Sequence, residues 1–339
     1  MPINYMAIKP AGSRSVASSR LRAFVPVKEL SNRGLNIEIY NQKNSEKYDL
    51  VVFQKSYTNE DLELARRLKA RSCKVVLDQC DNHFIYDVNS VAQCMRLERL
   101  RAMIDLVDIV ICSTSQIAAL FPNKKTYIAS DFTDFYKATW IDRLAARKQL
   151  GGILKTDALK LVWFGSVGSV NPRFGMCDIA EKISLLNNLS SQYQIQLTII
   201  SNSESEFSSN FLAKTDFPVF YIDWRRETYQ YILSMHDACL IPIDINPFTI
   251  CKTNNRLILA LYLSLPVIAD VIPSYTEFSR FAKFGCWVKN LNDIAEDMAA
   301  ERRVASRGRE YVLENYSNEK IANIWHEVFE SISSNEYSV

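Results

Sequence analysis

Short apolar runs alternate along the chain with longer stretches whose apolar positions recur at helical spacing. Leu50-Val51-Val52-Phe53, Val75-Val76-Leu77 and Ile109-Val110-Ile111 have no polar interruption, the pattern of strands buried on both faces of a sheet. In the first half, strands are expected at Asn4–Ile8, Asn36–Tyr40, Asp49–Gln54, Lys74–Asp78, Asp108–Cys112 and Lys125–Ala129. Helices are expected between them at Ser19–Asn32, Glu60–Arg71, Val88–Leu106 and Gln116–Phe121, with a further helix at Ile141–Leu150. The second half restarts the alternation. Its expected strands are Leu159–Phe164, Gln194–Ser201, Val219–Asp223, Ala238–Ile243, Pro266–Ala269 and Cys286–Val288. Expected helices are Gly175–Leu189, Ser205–Leu212, Arg226–Met235, Lys252–Ser264 and Tyr275–Phe281, and the end, Leu291–Ser334, reads as helical throughout. Such alternation makes an α/β fold of parallel sheets with helices on both faces. Gly151-Gly152 interrupts it and reads as a hinge, dividing the chain into 1–150, 151–315 and a helical tail at 316–339.

Length agrees with this division, since 339 residues exceed one ordinary core and suit two domains of about 150 residues each. A content of 48% hydrophobic and 23% charged residues is that of a soluble globular protein. The net charge of +2 hides an asymmetry. Residues 1–150 carry 23 Lys+Arg and 16 Asp+Glu, a balance of +7, and residues 151–339 carry 17 and 22, a balance of −5. A basic first half suits an anionic partner or an anionic membrane surface, or is simply an uneven solvated surface. No nucleic-acid partner is expected. The eight cysteines form no CxxC and several lie inside apolar runs, as in a reducing compartment. Three separated histidines promise no metal cluster. There is no signal-peptide pattern at the start, and no apolar run approaches the roughly 20 residues of a membrane span. The expectation is a cytoplasmic protein, peripheral at the inner face of the membrane.

Candidate chemistry concentrates in Ala238–Phe278. The expected helix there is apolar all round at Leu257–Leu263, as in a helix buried on every side. Its start nevertheless carries Lys252, Asn254, Asn255 and Arg256. Cations at the positive end of a helix dipole call for an anion, and free backbone N–H groups there already form an anion site. The loop beyond carries Tyr275 and Glu277.

Other candidates follow strand ends, where parallel sheets bind ligands. Gly165, Ser166 and Gly168, with Arg173 further on, would let backbone approach a phosphate or sugar, or form a tight turn. Gly12, Ser13, Arg14 and Arg20 occupy the corresponding loop of the first half, as a polar pocket or as a loop leading to a helix cap. Asp78-Gln79-Cys80-Asp81-Asn82-His83 offers carboxylates and an imidazole for general-base work, unless Asp81 or Asn82 caps a turn. Trp224 would stack on a base or pack in the core. No strand-end DxD is present, so nothing in that form holds a metal-bound diphosphate.

These residues carry a resemblance. Trp163-Phe164-Gly165-Ser166, Lys252-Thr253-Asn254-Asn255-Arg256 and Ser264-Leu265-Pro266-Val267-Ile268-Ala269, followed by Pro273-Ser274-Tyr275, resemble GT-B glycosyltransferases of the family 4 type that build bacterial surface glycans. The resemblance implies two Rossmann-like domains facing across a cleft, with a C-terminal helix crossing back to the first. It also implies a nucleotide-sugar donor in the second domain, a glycan or lipid-linked acceptor in the first, and transfer that requires neither metal nor other cofactor. On that basis Gly165, Ser166 and Arg173 lie near the diphosphate, and Lys252 with Arg256 neutralises it as it leaves. Trp224, Asn254, Asn255, Tyr275 and Glu277 also belong to the donor side, Gly12, Ser13, Arg14 and Arg20 to the acceptor side, and Asp81 and His83 approach the reacting sugar. The chain departs from the family's Glu-x7-Glu motif. Aligned on Leu265-Pro266, the two acidic positions hold Cys251 and Leu259. A sugar-nucleotide 2-epimerase shares the implied fold, as would a sugar-binding relative without catalysis.

Overall fold

Alternation of buried side chains along the strands is what sets up the layers. The computed structural model describes residues 3–154 and 157–334; residues 335–339 of the expected tail lie outside them. Packing divides the chain into two units, one of 1–134, 250–253 and 315–339, the other of 135–249 and 254–314. No described helix is long and apolar enough to cross a membrane.

The first unit holds β1 (Met6–Pro10), β2 (Ile37–Ile39), β3 (Leu50–Gln54), β4 (Lys74–Gln79), β5 (Ile109–Cys112) and β6 (Lys125–Ile128). They form one parallel sheet in the order β2-β1-β3-β4-β5-β6. Successive strand residues point to opposite faces, so each apolar run feeds two cores. Val51, Phe53, Val75 and Leu77 pack with Leu62, Leu64, Ala65, Leu68, Leu100 and Met103 of the helices Asn59–Ala70 and Val91–Leu106. Leu50, Val52, Val76, Ile109 and Ile111 pack on the other face with Ile321, Trp325, Val328 and Phe329 of the helix Asn318–Ser334. A capping box of Thr58 and Asp61 starts the helix Asn59–Ala70, satisfying two orphan amides.

The second unit holds β7 (Leu159–Phe164), β8 (Gly168–Val170), β9 (Arg173–Gly175), β10 (Ile195–Ser201), β11 (Val219–Asp223), β12 (Ala238–Ile241), β13 (Val267–Ala269) and β14 (Lys283–Phe284). Six of these make a parallel sheet in the order β11-β10-β7-β12-β13-β14, and β8 and β9 pair as a separate antiparallel hairpin. Its helix Trp140–Leu150 ends on Gly151 in the left-handed conformation at φ 55°, which glycine adopts without strain. Gly151, expected as part of a hinge, thus closes a helix inside this unit, while the first passage between units falls at Asp134–Phe135.

Other local expectations shift. The helix expected at Ser19–Asn32 contains a π-helical segment, Arg20–Phe24, before Val25–Ser31. A last strand occurs at Lys283–Phe284 rather than Cys286–Val288, because Gly285 and Cys286 are both left-handed and turn the chain into the helix Trp287–Glu296. The end is three helices, Trp287–Glu296, Met298–Asn315 and Asn318–Ser334. Tyr275 lies in a 3-10 segment, Pro273–Phe278.

His236 shows how this core handles a titratable group. Fully buried, it sets Nδ1 2.8 Å from the Ile232 carbonyl and Nε2 2.8 Å from Thr198 Oγ1. A carbonyl only accepts, so Nδ1 carries the proton and Nε2 accepts from the hydroxyl. Burial pushes the imidazole down to about 4, against about 6.5 in an unfolded chain. Between these values the unfolded state binds more protons, so stability falls as pH drops through the window. Urea unfolding should show wild type losing up to about 3 kcal/mol from this group between neutral pH and pH ~4. The His236→Gln variant should lack that component. Equal pH slopes in the two proteins would contradict it.

Candidate active site

In the first unit the chain leaves β1 for β2 on one side and continues from β3 on the other, so its switch point lies between β1 and β3, where such sheets bind ligands. The loop after β1 is drawn in by Ala11 N–H to the Gln54 carbonyl at 3.0 Å and Gly12 N–H to Ser19 Oγ at 3.0 Å. A Cβ on Gly12 would sit 3.0 Å from Val16 Cγ2, so the glycine serves loop packing. Ser13 is exposed and bonds Ser15 at 2.7 Å. Arg14 lies over the Phe24 ring at 5.1 Å. Arg20 is buried, donates to the carbonyls of Arg14 and Ser15, and pairs with Asp134 at 2.8 Å. It shapes this loop from beneath.

Two ionic networks lie under the strand ends. Arg22, fully buried, donates through Nε to Asp78 at 2.8 Å and through Nη1 to Asp131 Oδ1 at 2.7 Å and the Ala129 carbonyl at 2.9 Å. Burial works against its charge, but Asp78 and Asp131 raise its pKa overall. Arg20 and Arg22 are both buried because the π-helical segment that carries them is enclosed on every side, with Leu21 and Ala23 between and beyond them buried too. Asp131 Oδ2 in turn accepts from Thr253 Oγ1 at 2.9 Å.

The second network centres on Asp81. Its Oδ1 lies 2.5 Å from Lys252 Nζ and its Oδ2 pairs with Lys55, the left-handed residue directly after β3. Burial alone would raise this carboxyl, but Lys252 and Lys55 hold it well below the usual carboxylate range. His83 bonds through Nδ1 to the Tyr57 hydroxyl. Burial, with Lys55, Arg96 and Lys252 adding to it, pushes His83 down to about 3, and burial pushes Tyr57 up to about 12. General-base efficiency favours a pKa near the working pH. In this arrangement Asp81 supplies a fixed negative charge and His83 a neutral hydrogen-bonding edge. Arg96 also has a buried Nε without a hydrogen-bond partner among the described residues. Sequence reasoning passed over Lys55, Tyr57 and Arg22 as site residues. Lys55 had a readable signal, its place immediately after a buried strand.

In the second unit the switch point falls between β7 and β12. Gly165, just after β7, is so close to its neighbours that a Cβ would meet Trp163 Cζ2 at 3.0 Å and Arg256 Nη1 at 3.5 Å. Ser166 beside it is exposed. Arg256 is half-buried in the first turn of the helix Asn255–Tyr262, and no carboxylate of the described residues lies within ion-pair distance of it. Buried Tyr275 faces it; burial raises that phenol's pKa and Arg256 opposes the rise. Asn254 stands at the N-cap position without a side-chain capping bond and donates instead to Glu277 at 3.3 Å, while Tyr311 donates to the other oxygen of Glu277 at 3.1 Å. Asn255 opens the same turn.

Other expected donor residues are engaged locally. Arg173 pairs with Glu181 and its carbonyl accepts from Asn246 at 2.8 Å. Trp224 packs 5.3 Å from the Tyr229 ring. A Cβ on Gly168 would lie 1.8 Å from the Phe174 carbonyl oxygen, so this glycine closes the β8–β9 hairpin. Helix formation starts at Asn255, not Lys252, which leaves only Arg256 of the two expected cations in the first turn. Lys252 belongs to the first unit and Arg256 to the second. Cys251 and Leu259, standing at the family's two acidic positions, are 2% and 7% exposed in their cores, where an unpaired carboxylate would be costly. Among the described residues, no three His, Cys, Asp or Glu side chains form a group that could hold a metal.

No protein-family profile matches the chain, and no curated protein matches it. Solved structures do. Sucrose-phosphate synthase from Thermosynechococcus elongatus aligns with a TM-score of 0.70 and 16% identity over 97% of this chain and 99% of that one. A glycosyltransferase from Rickettsia africae aligns at 0.65 and 12% identity over 98% and 99%. WaaG, described as a glycosyltransferase involved in lipopolysaccharide biosynthesis, aligns at 0.59 and 16% identity over 94% and 99%. The chain has the GT-B fold.

The Asp81 arrangement is testable by stability alone. Asp81→Asn leaves the Lys55 and Lys252 ammonium groups without their shared carboxylate. Chemical denaturation should show a loss of about 2–4 kcal/mol, near the range for breaking a buried pair from one side. A loss below about 0.5 kcal/mol, typical of a surface position, would contradict the geometry.

Proposed function

We propose that the protein is a glycosyltransferase of the family 4 type, moving a sugar from a nucleotide-sugar donor to a glycan or lipid-linked acceptor in cell-surface polysaccharide biosynthesis. It works at the cytoplasmic face of the membrane and requires no metal. The observation that carries this reading is Arg256, half-buried beside Gly165 at the switch point of the second sheet, with no carboxylate partner among the described residues. A guanidinium placed there suits a diphosphate, which it binds through paired N–H donors. As the bond from the anomeric carbon to the phosphate oxygen breaks, negative charge grows on the leaving group, and a preplaced cation stabilises it. The fold shared with sucrose-phosphate synthase and WaaG supports sugar transfer as the reaction class. Lys252, the second expected cation, belongs to the first unit and is held there by Asp81.

Incubation with UDP-, GDP-, ADP- and CMP-sugars tests the reaction. One donor should be slowly hydrolysed to free sugar and nucleotide even without acceptor. An epimerase would convert the donor to a second nucleotide sugar, and an inactive sugar-binding relative would leave all four unchanged. In calorimetry with the matching nucleoside diphosphate, Arg256→Ala should weaken binding by about 1.5–3 kcal/mol, the worth of a charged hydrogen bond. Lys252→Ala should cost less, because part of its interaction is already spent on Asp81. Unchanged affinity in Arg256→Ala, with folding intact, would overturn the assignment.

A further inference from the structure

The helix Trp140–Leu150 has one face that its own unit leaves uncovered. Trp140, Ile141 and Leu144 are 71%, 59% and 54% exposed. Trp140, Leu144 and Lys148 follow one line along the helix at i, i+4 and i+8, with Ile141 and Arg147 flanking it. Arg143, Arg147 and Lys148 are exposed as well, and Lys137 is exposed just before the helix. No carboxylate answers these cations from the same segment. Its single acid, Asp142, accepts from the Thr139 amide at 2.8 Å, the Thr139 hydroxyl at 2.6 Å and the Tyr136 hydroxyl at 2.8 Å. The opposite face is fully used. Ala146 and Leu150 are buried, Gln149 donates to the Asp223 carbonyl at 3.2 Å and accepts from Thr228 at 2.5 Å, and Arg143 lies over the Tyr231 ring. Arg147, at the edge between the two faces, reaches the Tyr231 hydroxyl with one Nη2 donor at 3.4 Å and keeps the rest of its guanidinium exposed.

We propose that this helix lies in the interface of an anionic lipid bilayer, with Trp140, Ile141 and Leu144 entering the headgroup boundary and Arg147 and Lys148 on lipid phosphates. The composition is that of an interfacial helix: large apolar side chains and cations on one surface, with no acid. Tryptophan favours the headgroup level, and long cationic side chains keep their stems apolar while the heads reach phosphate. The centre of a protein interface is instead depleted of charge. The basic first half offers a competing surface, the helix Asn59–Ala70 and the residue after it, with Arg66, Arg67, Lys69 and Arg71. In the structure Arg66 pairs with Glu63, Lys69 with Asp108 and Arg71 with Glu46, so that helix has most of its charge answered. The contact deepens the proposed function by putting the enzyme on the surface that carries a lipid-linked acceptor, and rests on it only for that purpose.

Vesicle sedimentation and Trp140 fluorescence test the surface independently of catalysis. Wild type should bind vesicles of phosphatidylcholine with phosphatidylglycerol, with a blue-shifted emission, and bind phosphatidylcholine alone weakly. Arg147→Gln with Lys148→Gln should lose roughly 25-fold in affinity, about five-fold per charge. Ile141→Ser with Leu144→Ser should abolish the blue shift while nucleoside-diphosphate binding persists. Undiminished vesicle binding in both double variants would overturn the proposal, as would its loss on Arg66→Glu with Arg67→Glu instead. Concentration-dependent self-association that these variants abolish, with no vesicle binding, would assign the face to a second copy of the chain and likewise overturn it.

Discussion

The paired charge of Asp81 is what the loops at the carboxyl ends of the first unit's strands depend on. One carboxylate gathers Lys55 from the end of β3 and Lys252 from a segment far along the chain. The same segment is tied down by Thr253 to Asp131, by Thr114 to the Cys251 carbonyl, and by the Cys251 side chain in the apolar core. Asp131 is itself fixed by buried Arg22, which also holds Asp78. Removing the central charge would strand two ammonium groups and loosen a loop that three further contacts keep in register. This also accounts for Cys251. At a position where the resemblance leads one to expect an acid, the chain needs a small apolar side chain to seat the segment.

A division of labour follows. Interior cations of the first unit mostly have carboxylates: Lys9 has Asp61, Arg20 has Asp134, Arg22 has Asp78 and Asp131, and Lys55 and Lys252 share Asp81. In the second unit Arg256 has no carboxylate within ion-pair distance among the described residues, and Asp178 feels its charge only from further off. On the proposed function, a preorganised field of fixed charges suits orienting an acceptor, whereas a guanidinium without an ion-pair partner suits a phosphate that arrives and leaves. The low basicity of Asp81, imposed by Lys252 and Lys55 against the effect of burial, and of His83, imposed by burial with the lysines adding to it, fits positioning and electrostatics better than proton abstraction.

Much of the architecture was legible because its signals are local. The short apolar runs Leu50–Phe53, Val75–Leu77 and Ile109–Ile111 suit strands covered on both faces, and each became one. Strand-end loops then pointed to Asp81 and Gly165, and the polar start of an otherwise apolar helix pointed to Arg256. What escaped depends on partners distant in sequence or on backbone detail. Nothing near Lys252 announces Asp81, so both cations were assigned to one helix start that the structure begins later, at Asn255. Gly168 and Gly175 are required by each other's backbone across a hairpin, a pairing no periodicity shows. Ile141 and Leu144 belong to the expected helix Ile141–Leu150, and Trp140 stands just before it. Only the geometry reveals that their face has no core to enter.

The most direct measurement of the central claim is a crystal structure of the chain with a bound nucleoside diphosphate. The account predicts both phosphates at the end of β7, with the Arg256 guanidinium in hydrogen-bond contact and the Gly165 backbone against them. Phosphates seated on Lys55 in the first unit, with Arg256 untouched, would contradict it.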